Sequence, residues 1–268
     1  MLDGAHRGGG KESGRVDGGG EAEWGVFAIV KGPESRSRIM SDVARGEKEE
    51  AYRELVKQRK QCCLCEGLTN PSQISEYDSD EIGPWSLWQG SLDAKILLVG
   101  QDWGDVRYFK KRGGIDEDNN PTNRNLGDLF QSIEIPLEGP ESPIKNGGLF
   151  FTNVILCLKK GGLSAPVEEK HALSCGKHYL KPLVSIINPK VVIALGEKAY
   201  RSVCACYGLK PAPFKDAVMV EHGFPLTLEC RLFPVYHCGA RGWNINRKGP
   251  LQIQDWEKIG SYLHTRTG

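Results

Sequence analysis

The chain has 268 residues, 39% hydrophobic and 26% charged, and its 35 Lys and Arg balance 34 Asp and Glu to a formal charge of +1. That length suits one sizeable core with a flexible end, and the composition is globular. No apolar run approaches the roughly 18 residues of a membrane span and the N-terminus lacks the apolar segment of a secretory signal, so a cytoplasmic location without membrane contact is expected. A near-neutral charge leaves room for a nucleic-acid surface only as a local patch.

Eight of the first twenty residues are glycine, and the apolar residues around them follow no period. Residues 1–40 therefore read as a disordered tail, within which Met40 would serve as an alternative start, and residues 41–268 as one folded domain. Residues 47–60 are rich in helix formers with charges on most faces, which predicts an exposed helix leading into Cys62-Cys63-Leu64-Cys65. Residues 94–99, Ala-Lys-Ile-Leu-Leu-Val before Gly100, have the pattern of a buried parallel strand opening into a loop. A second buried strand is predicted over 149–158, interrupted by the polar pair Thr152-Asn153. After Gly161-Gly162, Ser164 suits a helix N-cap, with Pro166, Glu168 and Glu169 in the first turn. Leu173, Leu180, Leu183, Val184 and Ile187 then recur at helical spacing, with a kink expected at Pro182. A third strand is predicted over 190–195, followed by a helix to about Tyr207. A fourth covers 231–236 and ends at His237, and a closing helix spans 252–263.

Strands separated by helices imply a three-layer α/β/α domain around a central, mainly parallel four-stranded sheet. Such sheets bind ligands outside the carboxyl ends of their strands. Attention therefore falls on the residues beyond Val99, on Thr152-Asn153, and on the residues beyond Tyr236.

Nine cysteines without an export signal point to metal ligation or burial, not to disulfides. Cys62 and Cys65 form a C-x-x-C pair, Cys157 lies at a strand end and Cys175 in the next helix, so four thiolates can converge. They suit tetrahedral zinc or an iron–sulfur cluster equally, and burial as free thiols is the plainer alternative. Cys63 could stand in for either neighbour. Cys204, Cys206, Cys230 and Cys238 fall on predicted core elements or at a strand end and read as buried thiols.

Asp102, just past a strand end, suits either an Asx-turn or a carboxylate turned toward a ligand. Asn153 interrupts an apolar strand, and a buried amide must find partners. His237 closes the last strand, where a lone histidine is more often structural than functional. Lys110, Lys111, Arg112, Arg247 and Lys248 could meet phosphates, although scattered basic residues are usually only solvated. Neither Gly100 nor Gly196-Glu197-Lys198 matches a nucleotide-binding loop, which disfavours a nucleotide-binding module.

The chain from about Cys62 to the last helix resembles the uracil-DNA glycosylase superfamily, in particular its iron–sulfur family four. The resemblance rests on Cys62-x-x-Cys65, on Thr152-Asn153-Val154-Ile155-Leu156-Cys157, on Cys175, and on Asn188-Pro189-Lys190 leading into an apolar strand and Gly196. Two motifs depart from family four. Gly100-Gln101-Asp102 is similar to the Gly-Gln-Asp-Pro-Tyr loop of family one, whose aspartate serves the attacking water, and the usual His-Pro-Ser appears as His237-Cys238-Gly239.

The resemblance implies hydrolysis of the bond between uracil, or a related deaminated base, and deoxyribose in DNA by a monomeric enzyme. It implies a [4Fe–4S] cluster on Cys62, Cys65, Cys157 and Cys175, with zinc as the alternative. Asp102 and His237 would be catalytic. Gln101 and Asn153 would contact the base, with Tyr108, Phe109 or Phe151 stacking on it. Arg241 and Trp243 would enter the DNA minor groove. Family one's thymine-excluding tyrosine is matched here by Gly104, so that filter must be built elsewhere. The alternative reading is a non-catalytic, metal-stabilised nucleic-acid-binding protein of the same fold.

Overall fold

The computed structural model describes residues 33–83, 90–142, 144 and 146–265. Most of the expected tail lies outside these residues. By internal packing the chain divides into residues 1–41 and 42–268. Helix α1 (Pro33–Gln61) starts ahead of the predicted position. It is also not charged all round, because Tyr52, Leu55, Val56 and Arg59 form a buried stripe at helical spacing. Arg59 reads as a surface residue but is 2% exposed. Its guanidinium reaches Asp78 at 2.8 Å and the carbonyls of Ser79 and Glu81 at 2.9 and 2.8 Å, which satisfies a charge that would otherwise be costly to bury.

The sheet has five strands among the described residues, one more than predicted, in the order β2-β1-β3-β5-β4. Strands β1 (Ile96–Asp102), β2 (Leu149–Ile155), β3 (Val191–Leu195) and β5 (Arg231–Val235) run parallel. The additional strand, β4 (Phe224–Pro225), pairs antiparallel with β5 at the edge and at two residues is too short to leave a periodic signal. Alternate residues of β1 enter different cores: Leu97 and Val99 pack in one, Ile96 and Leu98 in the other. Helices α1, α4 (Glu169–Cys175), α5 (Lys181–Ile187) and α6 (Glu197–Tyr207) supply the first core. Helices α2 (Val106–Lys111), α3 (Pro121–Ser132) and α8 (Gly249–Thr265) supply the second. The short α7 (Phe214–Val218) precedes β4. The expected three-layer α/β/α arrangement is thus the observed one.

The helix predicted to begin at Ser164 begins at Glu169, and Ser164 instead lines a cleft. The expected kink at Pro182 is replaced by a π-helical turn, Gly176–Leu180, joining α4 to α5. That wider turn contains His178, four residues before the proline, whose carbonyl the proline ring would otherwise crowd. Among the described residues, no helix is long and apolar enough to cross a membrane.

Candidate functional site

The parallel strands deliver their ends to one cleft of about 530 Å³, within the range of small-molecule sites. Gly100, Gln101 and Asp102 come from β1, Phe151 and Asn153 from β2, and His237 from beyond β5. These are the strand-end residues singled out in the sequence.

Asp102 is held on several sides. Its Oδ1 accepts from the Gly104 backbone N–H at 3.0 Å, the Asx-turn geometry, and its Oδ2 accepts from Gln101 Nε2 at 2.9 Å. Lys159 Nζ lies 3.0 Å from Oδ1, and the two side chains are only 6% and 9% exposed. Lys159 Nζ also donates to the carbonyl of Leu163. This buried ion pair was not foreseen. Lys159 stands beside Lys160 at the end of an apolar run, and in sequence the two are indistinguishable; in the fold Lys159 is buried and Lys160 exposed.

Asn153 is 3% exposed, and its Nδ2 has no hydrogen-bond partner. Gly100 faces it across the β1–β2 pair. His237 lines the cleft and its Nδ1 accepts from the Gly239 N–H at 3.0 Å, so in the neutral ring Nε2 carries the proton. Desolvation of the ring by the surrounding protein lowers its pKa below the ordinary value, while the Asp102 carboxylate pulls it upward. Gly242 packs so close that a Cβ there would fall 1.6 Å from the His237 carbonyl oxygen, which explains the glycine in the loop that carries the histidine.

The aromatic candidates separate. Phe109 is fully buried in the second core and does not line the cleft, whereas Tyr108 and Phe151 do. Phe151 packs edge-on against Trp103 at 5.1 Å. The Tyr108 hydroxyl donates to Asp116 Oδ1 at 2.9 Å, and Asn120 and Asn123 donate to Asp116 Oδ2 at 2.9 and 3.0 Å. Burial, and then the hydrogen bond to Asp116, raise the Tyr108 pKa. Asp116 was also missed in the sequence, where nothing distinguishes it from the acidic residues that follow it. Asp105 is a helix cap: buried, it accepts from the Tyr108 N–H at 2.8 Å.

Arg241 and Trp243 lie outside the cleft lining. Arg241 is exposed, and Trp243 is half-buried so tightly against Gly249 that a Cβ there would meet its ring at 2.5 Å. Of the basic residues considered for phosphates, Arg112 pairs with Glu117 and Glu141 at 3.2 and 3.3 Å, and Arg247 with Asp255 at 2.7 Å. Lys110, Lys111 and Lys248 are exposed.

Cys62, Cys65, Cys157 and Cys175 line a second, smaller cavity that shares no lining residue with the cleft. Cys63 is exposed and outside it, while Cys204, Cys206, Cys230 and Cys238 are buried thiols. A hydrogen bond between Cys65 and Cys157 draws the Cys65 thiol down to about 7 and pushes that of Cys157 up. Cys175 Sγ accepts from the Leu156 N–H at 3.4 Å. Burial raises the pKa of Cys175 and, with Cys62 nearby, that of Tyr179, whose hydroxyl donates to the Gln58 carbonyl at 3.2 Å. Among the described residues no group of three or more His, Cys, Asp or Glu side chains stands in metal-holding geometry. Four sulfurs on one cavity, with one backbone donor already on Cys175, are nonetheless a donor set that fits a thiolate-bound metal.

Residues 87–258 match the uracil DNA glycosylase superfamily. The chain is also 27% identical over 151 residues to the type-4 uracil-DNA glycosylase of Thermotoga maritima, an overlap of 56% of this chain. The match spans 65% of that relative's length, just under two thirds.

Proposed function

The chain belongs to the uracil DNA glycosylase superfamily, and from that premise we propose that it hydrolyses the N-glycosidic bond of uracil, or of a related deaminated base, in DNA. One observation carries this reading to the cleft: the Asn153 amide is buried at the strand ends with an unmet donor. Buried polar groups are almost always hydrogen-bonded in the working state of a protein. A flipped uracil would complete Asn153 by placing O4 against Nδ2 and N3–H against Oδ1, the way such enzymes read a base by its Watson–Crick edge.

Breaking the bond leaves positive charge on the sugar and negative charge on the base, and groups that meet both lower the barrier most. Asp102 would accept a hydrogen bond from the attacking water and face the sugar. His237, neutral with its proton on Nε2, would donate to uracil O2 as charge gathers there. Tyr108 or Phe151 would flank the base. Arg241 and the exposed lysines would meet the DNA backbone, and Trp243 would act by shaping the loop that carries His237.

Cys62, Cys65, Cys157 and Cys175 would hold a [4Fe–4S] cluster, with zinc as the alternative. When bound, that group supplies a structural cross-link between α1, the end of β2 and α4. The test is release of uracil from a uracil-containing oligonucleotide, read as strand cleavage after alkali. Binding without base release would favour the non-catalytic reading.

A further inference from the structure

Asp102 makes more contacts than a carboxylate that merely faces substrate would need. Oδ1 has two donors, the Gly104 N–H and the Lys159 ammonium, each at 3.0 Å. Oδ2 has one, Gln101 Nε2 at 2.9 Å. We infer that Lys159 is a positioning residue which saturates Oδ1 of Asp102 and so leaves Oδ2 as the oxygen that holds the attacking water. The inference rests on the glycosylase reading above and assigns the task to one atom.

The physical case starts from burial. A solvated ion pair is worth little, but this one is nearly closed to solvent, and burying two charges is costly unless each is met by good geometry and further hydrogen bonds. Both conditions hold here: the ammonium is shared between Asp102 and the Leu163 carbonyl, and the carboxylate accepts from two other donors. Without the ammonium, Oδ1 would keep a single donor, and the carboxylate could turn about its Cβ–Cγ bond so that water found no preferred oxygen.

Lys159 reaches this place because the chain beyond β2 continues as isolated bridges, Leu158 with Thr69 and Lys159 with Asp105. Its backbone bonds Gly104 and Val106 on either side of Asp105, at 2.9 Å each. The backbone thus docks the lysine beside the loop that follows Asp102. Through the Leu163 carbonyl, the same ammonium tethers the rim segment that places Leu163 over Gly104, where a Cβ would fall 2.9 Å from Leu163 Cδ2.

The test is a double-mutant cycle on a uracil-containing oligonucleotide, combining single-turnover rates, DNA affinity and metal content for Lys159→Met, Asp102→Asn and the double variant. Lys159→Met should lower the single-turnover rate by about 10²-fold, the scale of a misplaced reacting group, with affinity and metal content unchanged. In the Asp102→Asn background the same change should add less than about 3-fold, because residues acting as one unit are not additive. Lys159→Arg, which keeps a charged donor, should recover most of the rate.

Should Lys159→Met fail to fold, Lys159→Gln, which keeps a donor for the Leu163 carbonyl without the charge, takes its place with the same expected loss. Multiplicative effects in the double variant, altered metal content, or a wild-type rate in Lys159→Met with a slow Asp102→Asn would overturn the inference and leave the glycosylase reading standing. No uracil release by the wild type would remove that reading and the inference with it, whereas an undiminished rate in Asp102→Asn would remove the inference alone.

Discussion

A Cβ on Gly100 would fall 2.1 Å from Oδ1 of Asn153, its partner across the β1–β2 pair. The glycine therefore makes room for an amide that interrupts an apolar strand. Gly100→Ala should push that amide out of register and lower uracil release by roughly 10–10²-fold, the cost of displacing a reading group by about an ångström. Steady-state kinetics beside a thermal melt would check it, since a loss of activity explained by unfolding would contradict a local effect.

Asn153 should also set base identity. Cytosine presents an amino donor where uracil has O4, leaving the Asn153 amide opposed, at a cost on the order of 1–3 kcal/mol for an unmet buried hydrogen bond. Asn153→Asp is expected to weaken uracil release and to admit cytosine. Identical base preference in wild type and variant, measured on paired oligonucleotides, would place recognition elsewhere.

Asp102 and Asp105 lie three residues apart yet differ in kind. Asp102→Asn should lower turnover by about 10² or more with DNA affinity retained. Asp105 caps α2 through the Tyr108 N–H, so Asp105→Ala should cost about 1 kcal/mol of stability with most of the activity kept. Chemical denaturation and single-turnover rates on both variants would separate the roles.

Desolvation holds the His237 pKa below the ordinary imidazole value and Asp102 raises it. In an NMR titration its midpoint should therefore lie below roughly 6.5, and Asp102→Asn should move it lower still. The sign for stability follows: the unfolded chain takes up this proton first, so the histidine's contribution is full above pH ~6.5 and is lost as pH falls through the lowered folded value. A midpoint that rises in Asp102→Asn would show that the two groups do not face each other.

The cysteine cavity makes a separate prediction. Serine at Cys62, Cys65, Cys157 or Cys175 should lower bound metal and stability together, whereas Cys63→Ser, outside the cavity, should leave both unchanged. Anaerobically purified protein carrying the cluster should absorb broadly near roughly 400 nm. A colourless protein with one zinc would identify the alternative metal, and one with no metal would make these ordinary buried thiols.

Much of this protein is legible in its sequence because the responsible signals are local. Runs of branched apolar residues ending in glycine mark β1 and β3, and helices between them imply a parallel sheet whose strand ends share one side. That geometry alone brings Asp102, Asn153 and His237 to one cleft. The C-x-x-C spacing likewise announces Cys62 and Cys65 as a pair. What the tertiary structure decided depends on partners far away in the chain. Phe109 and Tyr108 are neighbours of similar character, and only the packing of α2 buries the first and turns the second to the cleft. Trp243 reads as a loop aromatic until α8 presents Gly249 for it to pack on. Lys159 and Lys160 differ because the regular alternation of β2 stops at Ile155, and beyond it Thr69 and Asp105 set which side chain turns inward. Periodicity assigns a face only within an element; past its end, the direction of a side chain belongs to whatever the fold has brought alongside.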